Sequence, residues 1–158
     1  MRVLSVDPGL SITGFSVLDQ IKMKTKLFAY GAIRPPKNIP LGVRLNHLFQ
    51  EIKDVLERFN PEVLAIEDAF YSKNVKSTMS LGQARGVIIL AAAQTSISVY
   101  EFAPRKVKQS VCGNGAATKE QVQFMVMKIL NLKEPPKPLD VSDSMAVGIC
   151  YLNQFKLQ

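Results

Sequence analysis

Four acidic residues occupy positions where a carboxylate could take part in chemistry. Asp7 and Glu67 each close a short apolar run, and Asp140 and Asp143 lie three residues apart. Two carboxylates held about 4 Å apart repel by roughly 4 kcal/mol at an effective dielectric near 20, so four of them together need a cation. Hard oxygen ligands select Mg²⁺ or Mn²⁺ over zinc, and a pair of such ions is a common catalyst of phosphodiester hydrolysis. The four acids therefore predict a centre for two divalent ions and hydrolytic chemistry on phosphodiesters.

Three of these acids also have a purely structural explanation. Asp7 precedes the turn signal Pro8-Gly9, and Asp140 with Asp143 could cap a helix and offset its dipole. Glu67 is the hardest to explain in this way, because a glutamate that closes an apolar strand serves neither a cap nor a turn. The hypothesis of a metal centre depends on the combination of the four acids.

Runs with strand composition open the chain, at residues 2–7, 12–18 and 27–33. Pro8-Gly9 separates the first two runs, and β-branched and aromatic side chains are frequent in all three. We expect three antiparallel strands here. Asp7 would then stand at the end of the first strand.

Helical and strand patterns alternate in the middle of the chain. Residues 41–59 have the apolar spacing of an amphipathic helix, and His47 falls on its polar side, where we expect it to face solvent. Strand patterns follow at 62–67 and 97–102, separated by a long helical stretch at 75–95. This alternation predicts parallel pairing of the later strands.

Helical patterns dominate the last third of the chain. A basic segment at 105–109 leads into a glycine-bearing loop, and Thr118 with Gln121 forms a capping-box pattern at the start of a helix. A last helix should run from about Asp140 to Asn153. The full element order is that of a ribonuclease-H-like α/β domain, with a mixed five-stranded sheet flanked by helices. In such folds the catalytic acids gather at adjacent strand ends and on the last helix.

Length and composition suit one domain spanning residues 1–158. The net charge of +7 favours a polyanionic partner, and nucleic acid is the leading candidate. Cys112 and Cys150 show neither metal-ligand nor disulfide spacing, which suits a reducing compartment. The sequence has neither a signal peptide nor an apolar stretch approaching about 18 residues. We therefore expect a cytoplasmic protein that does not contact a membrane.

Several motifs follow one another in a fixed order over nearly the whole chain. They are Asp7-Pro8-Gly9, Thr13-Gly14, Ala65-Ile66-Glu67, Phe70, Lys73-Asn74, Leu81-Gly82-Gln83-Ala84-Arg85-Gly86, Val107-Lys108-Gln109, Lys119, Gln121-Val122-Gln123 and Asp140-x-x-Asp143. Together they resemble the RuvC family of bacterial Holliday-junction resolvases. The resemblance implies that the four acids bind metal ions and that a homodimer places two such centres on a four-way DNA junction. It also implies paired nicks with 5′-phosphate and 3′-hydroxyl ends, and partnership with the RuvA and RuvB branch-migration proteins.

The resemblance assigns roles to further residues. Phe70 matches an aromatic that stacks on a base near the junction centre, although it could instead be a loop aromatic tucked into the core, and Tyr71 is a second candidate contact. Lys108 and Lys119 match basic positions that support catalysis and phosphate binding. The remaining candidate DNA contacts, each of which could equally be surface charge, are Lys73, Lys76, Arg85, Arg105 and Lys106.

Other functions remain open at this point. Sugar-kinase and actin-like ATPases use Asp-x-Gly in a similar hairpin, but they need two such domains and have no counterpart of Asp140 and Asp143. A non-catalytic junction-binding protein would not need four intact acids. A ribonuclease acting on RNA/DNA hybrids would share the fold. Phe70 and the Lys108 to Lys119 region favour a junction over a hybrid.

Overall fold

A mixed five-stranded sheet runs through the centre of the molecule. The computed structural model describes residues 1–68 and 74–155, with the backbone alone at 155. The strands are β1 (Arg2–Asp7), β2 (Thr13–Ile21), β3 (Lys24–Ile33), β4 (Val63–Glu67) and β5 (Ser98–Phe102). Their order across the sheet is β3-β2-β1-β4-β5.

The central strand β1 joins an antiparallel and a parallel half of the sheet. It pairs antiparallel with β2, where Asp7 lies opposite Gly14, and parallel with β4, where Val6 lies opposite Ile66. β4 and β5 are also parallel. β1 and β4 are covered on both faces, which explains why four consecutive residues are buried in each, whereas the edge strand β3 alternates mainly between exposed and half-buried residues.

Within the part of the chain that the structure describes, five helices cover the two faces of the sheet. They are α1 (Leu41–Phe59), α2 (Val75–Gln94), α3 (Pro104–Cys112), α4 (Lys119–Leu130) and α5 (Leu139–Phe155). One hydrophobic cluster joins α1 and α2 to the sheet, and a second joins α3, α4 and α5 to its other face. No helix in the described ranges is both long and apolar enough to cross a membrane.

The structure confirms most of the predicted architecture. The mixed sheet flanked by helices, the three opening antiparallel strands and the helix introduced by the Thr118/Gln121 capping box are all present. The interpretation of His47 as solvent-facing is wrong in part, because its side chain is half-buried and its Nδ1 atom is fully buried.

The sequence patterns do not predict helix α3. They indicate only that the segment 105–109 leads into a loop, but Pro104 occupies the first turn of a helix and Gly113 ends it with a left-handed φ of 73°. Val107 and Val111, four residues apart, are its buried side. Proline at the start and glycine just past the end are the signals that could have revealed this helix.

Candidate active site

Asp7 and Glu67 lie side by side where the neighbouring strands β1 and β4 end, and this end of the strands is the edge of the sheet meant below. Each is the last residue of a strand, and the parallel register between β1 and β4 aligns these strand ends. Both side chains are half-buried, whereas the four residues before each of them are fully buried. The apolar runs therefore anchor the two strands, and the carboxylates emerge where the sheet stops.

Helix α5 brings Asp140 and Asp143 to the same edge. Both acids lie in its first two turns and are half-buried, while most of the helix is buried against the sheet. The close approach depends on Gly14, because a β-carbon there would overlap the backbone of Asp140 and Val141. A glycine opposite Asp7 in β2 thus allows the last helix to lean over the strand ends.

The Asp7 carboxyl is strongly affected by its surroundings. Burial, followed by the negative charges of Glu67, Asp143 and Asp140, raises the pKa of Asp7 to about 8. The positive charge of Lys119 acts in the opposite direction. The four predicted acids therefore share one electrostatic environment.

The pKa values of two other acids are also raised. Burial is the main cause for Glu67, with a further contribution from the charge of Asp143, while Lys108 and Lys119 oppose the shift. Burial likewise raises the pKa of Asp143. The charge of Lys119 opposes this shift, and the charge of Asp140 adds to it. Two lysines therefore face the acids closely enough to offset part of their repulsion.

The candidate ligands named above are all carboxylates. Such an oxygen-only set fits Mg²⁺ or Mn²⁺ and does not fit zinc, which favours histidine and cysteine. Within residues 1–68 and 74–155, no three His, Cys, Asp or Glu side chains converge closely enough to enclose a metal ion. A divalent ion would have to draw the carboxylates inward against their mutual repulsion.

Gln109 braces the loop between α3 and α4, which precedes Lys119. The Gln109 side-chain amide donates to the carbonyl of Gly113 at 3.0 Å and its oxygen accepts from the amide of Gly115 at 3.0 Å. Lys119 is the first residue of α4, directly after the Thr118 cap. In the sequence Gln109 stands out only as part of a motif, and its role in bracing this loop emerges from the structure.

The other predicted DNA contacts differ in their surroundings. Arg85 forms ion pairs with Asp68, at 3.2 Å, and with Glu101, so its charge is already neutralised inside the protein. Lys76 and Arg105 are exposed. Phe70, Tyr71 and Lys73 lie outside the described residues.

One residue beside the acids has no counterpart among the predicted site residues. Arg44, on the first turn of α1, lines the same cleft as Asp7 and Asp140. The sequence offers no signal for it, because an arginine on the polar side of an amphipathic helix looks like ordinary surface charge.

The sheet order, together with carboxylates on β1, β4 and the last helix, defines a nuclease-type domain of the ribonuclease-H-like class. A family model described as crossover junction endodeoxyribonuclease RuvC matches residues 3–151. The chain belongs to this family, and it is therefore an endonuclease.

Relatives support this assignment over nearly the full length. The chain is similar to the crossover junction endodeoxyribonuclease RuvC of Desulforamulus reducens, with 43% identity over 96% of this chain and 93% of the relative. It is 45% identical to the RuvC of Dictyoglomus thermophilum, over 96% of each chain. The solved structure of Thermus thermophilus RuvC in complex with Holliday junction substrate is 30% identical and covers 99% of this chain and 96% of its own, with a TM-score of 0.93.

Proposed function

We propose that this endonuclease resolves four-way DNA junctions through Asp7, Glu67, Asp140 and Asp143. The observation that carries the proposal is that the ends of β1 and β4 and the start of α5 present these carboxylates at one edge of the sheet. Their charges contribute to the raised pKa values of Asp7, Glu67 and Asp143 there. A family member 30% identical to this chain has a solved structure with a Holliday junction substrate. The product ends would be a 5′-phosphate and a 3′-hydroxyl.

The four acids would hold two Mg²⁺ ions per subunit, and Mn²⁺ has the same ligand preference. When bound, the ions would supply an activated water and stabilise charge on the leaving 3′ oxygen. The protein's own contribution is to hold carboxylates from two strands and one helix at a fixed edge. Because the acids repel one another, they favour binding of divalent cations at this edge.

Lys108 and Lys119 would bind the oxygens of the phosphate under attack. Their positive charges already act on Glu67, and Lys119 also acts on Asp7 and Asp143. A lysine in the first turn of a helix is opposed by the helix dipole, so a nearby set of carboxylates and a phosphate offer a reason for its position.

Further contacts to the DNA would come from exposed cations and from the loop after β4. Lys76 and Arg105 are exposed and would bind backbone phosphates. Arg85 is a weaker candidate because Asp68 and Glu101 already neutralise it. Phe70, with Tyr71 and Lys73, would contact bases and backbone near the junction centre.

A homodimer would place two such centres on one junction. An exposed stripe follows one side of α2, and its members are Val75, Met79, Gly82, Gly86, Leu90 and Ala93. Val75 is 78% exposed, Met79 60% and Leu90 52%. Nothing lies within 4 Å of a β-carbon placed on Gly82 or Gly86, so a second helix could approach closely there. Two copies facing each other across this stripe would bury it.

Family membership alone supports the remaining parts of the proposal. These are a single domain over residues 1–158, a cytoplasmic location and partnership with RuvA and RuvB.

The activity is tested with purified protein, Mg²⁺ and three substrates: a synthetic four-way junction, a linear duplex of the same sequence and an RNA/DNA hybrid. We expect paired nicks in the junction and little cleavage of the other two. Equal cleavage of the linear duplex would refute junction specificity, and preference for the hybrid would indicate a ribonuclease. Binding of the junction without any cleavage in Mg²⁺ or Mn²⁺ would indicate a non-catalytic protein.

A further inference from the structure

A cleft of about 410 Å³ opens beside the acids, on the face of the sheet that α1 and α2 cover. Its walls are the turn after β1 and the starts of α1 and α2, and Asp7 and Asp140 also line it. Lys108 and Lys119 belong to α3 and α4 and approach from the other face. The cleft therefore includes two of the four acids and lies on a different face from Lys108 and Lys119.

Arg44 is the half-buried cation of this cleft. One of its Nη2 hydrogens is donated to the carbonyl of Leu10 at 3.1 Å, and its Nε is buried without a hydrogen-bond partner among the described residues. Arginine has five N–H donors and stays charged at every physiological pH. Most of its donor capacity is therefore unused by the protein groups around it.

The other half-buried arginines of the described chain are paired with carboxylates. Arg2 forms a two-pronged ion pair with Asp19, with both N···O distances at 2.8 Å, and Arg85 pairs with Asp68 at 3.2 Å. Arg44 has no carboxylate within ion-pair distance anywhere in residues 1–68 and 74–155. A half-buried charge without a counterion is unfavourable, so the missing partner is best sought outside the protein.

The cleft offers further groups that suit an anion. Lys76, exposed in the first turn of α2, lines it, and the serines at 77 and 80 contribute to the same wall. Asp7 and Asp140 repel an anion unless metal ions intervene. A phosphate in this cleft would therefore be held by Arg44 and Lys76.

We propose that this cleft binds a backbone phosphate next to the scissile phosphate, with Arg44 as its main donor and Lys76 as a second cation. Because Nε is buried, the terminal nitrogens of the Arg44 guanidinium would donate to the phosphate oxygens. The inference rests on the proposed function, because it needs DNA across the acids. Lys108 and Lys119 on one face of the sheet and Arg44 on the other would then bind the DNA strand on both sides of the bond to be cut.

Junction binding at several salt concentrations, without divalent metal, tests the charge contact. Arg44→Gln should weaken binding roughly tenfold and reduce the slope of log affinity against log salt by about 0.9 for each phosphate that the variant no longer neutralises. The matched control is Arg58→Gln, which removes an exposed arginine from the far end of the same helix and should leave both quantities unchanged. An unchanged affinity and slope in Arg44→Gln would overturn the inference.

Neutral backbone substitutions separate phosphate binding from a loosened turn, since Arg44 also holds the Leu10 carbonyl. Single methylphosphonates are placed on either side of the scissile phosphate, and cleavage is measured for wild type, Arg44→Gln and Arg44→Lys. At one of these positions the methylphosphonate should slow cleavage by the wild type, but it should not slow cleavage by Arg44→Gln any further. Its effect on cleavage by Arg44→Lys should be intermediate. If every position slows all three proteins equally, Arg44 does not bind a phosphate.

The same experiment distinguishes this inference from the proposed function. Cleavage of the unmodified junction by wild type tests the function, whereas the dependence on position tests Arg44. If Arg44→Gln does not fold, the comparison between wild type and Arg44→Lys still decides the outcome, because lysine retains the charge and loses the fork.

Discussion

Asp7 shows how strongly the surroundings act on one side chain of the proposed metal centre. Its carboxylate ends the central strand, and its pKa is raised by burial and by the three other acids together. An aspartate before Pro-Gly is compatible with a simple turn residue, so the local sequence around Asp7 does not reveal a function. The case for a function comes from neighbours that are distant in the sequence. This environment should govern both the cleavage reaction and the stability of the metal-free protein.

Asp7→Asn should abolish junction cleavage while leaving junction binding intact. Asparagine keeps the shape but removes the charge that would balance the proposed metal ion. A loss of several kcal/mol in transition-state stabilisation corresponds to about a thousandfold slower cleavage. The measurement is single-turnover cleavage in Mg²⁺ beside a binding assay. Loss of both activities would instead show that Asp7 is needed for the structure.

The stability of the metal-free protein should fall as pH rises. The pKa of Asp7 is about 8 in the folded chain against an ordinary value of 3.8, so between these values the folded state holds a proton that the unfolded state has lost. The contribution of this proton to the free energy of unfolding is then fully present below pH 3.8 and is lost as pH rises towards about 8. In EDTA, Asp7→Asn should match the wild type near pH 4 and melt several degrees higher near pH 8.

Mg²⁺ is the control for this pH effect. It should raise the melting temperature of the wild type most at high pH, where the carboxylates are ionised, and should have less effect on Asp7→Asn. A constant difference in melting temperature between the two proteins across this pH range would contradict the assigned protonation.

At the scale of helices and strands, short sequence patterns predicted the features that depend on residues close together in the chain. The strand ends at Asp7 and Glu67 follow from apolar runs, and the start of α4 follows from the Thr118 capping box. The ion pair between Arg85 and Glu101 spans 16 residues, and the bond between Arg44 and Leu10 spans 34. Contacts at such separations depend on tertiary packing, and no short pattern in the sequence contains them.

The packing of α5 on β2 depends on Gly14. Gly14→Ala would place a methyl group into the backbone of Asp140 and Val141, which cannot shift as a side chain can. We expect a loss of about 1 to 3 kcal/mol in the free energy of unfolding and slower cleavage, because Asp140 and Asp143 move away from the strand ends. Chemical denaturation and cleavage rates measure the two effects.

Gly42→Ala is the matched control for Gly14→Ala. Nothing lies within 4 Å of a β-carbon at Gly42, which is exposed in the first turn of α1. Alanine there should leave cleavage unchanged and stability equal or slightly higher. A Gly14→Ala protein with unchanged cleavage would show that the close approach is not required for the acids.

At the scale of the whole molecule, the net charge of +7 coexists with a local concentration of acids. The surplus of lysine and arginine attracts DNA over a distance, while the acidic edge repels it unless cations are present. Metal and DNA should therefore bind cooperatively.

The proposed dimer is tested by Leu90→Asp, on the exposed stripe of α2. Burying an unpaired carboxylate in the interface should weaken association by several kcal/mol, which at about 1.4 kcal/mol per tenfold exceeds a hundredfold. Light scattering should give a monomer where the wild type is a dimer, and paired nicking should be lost. Met23→Asp, 71% exposed in the β2–β3 turn, is the control and should remain dimeric. A dimeric Leu90→Asp protein would exclude this face as the interface.

The position of α5 in the chain also matters during synthesis. A ribosome makes the strands that carry Asp7 and Glu67 long before it reaches Asp140 and Asp143. A nascent or truncated chain therefore carries only two of the four acids, and it has none of the helix that packs across β1 and β2. Without these ligands it cannot assemble the proposed metal centre. Cutting activity should thus appear only after α5 has docked.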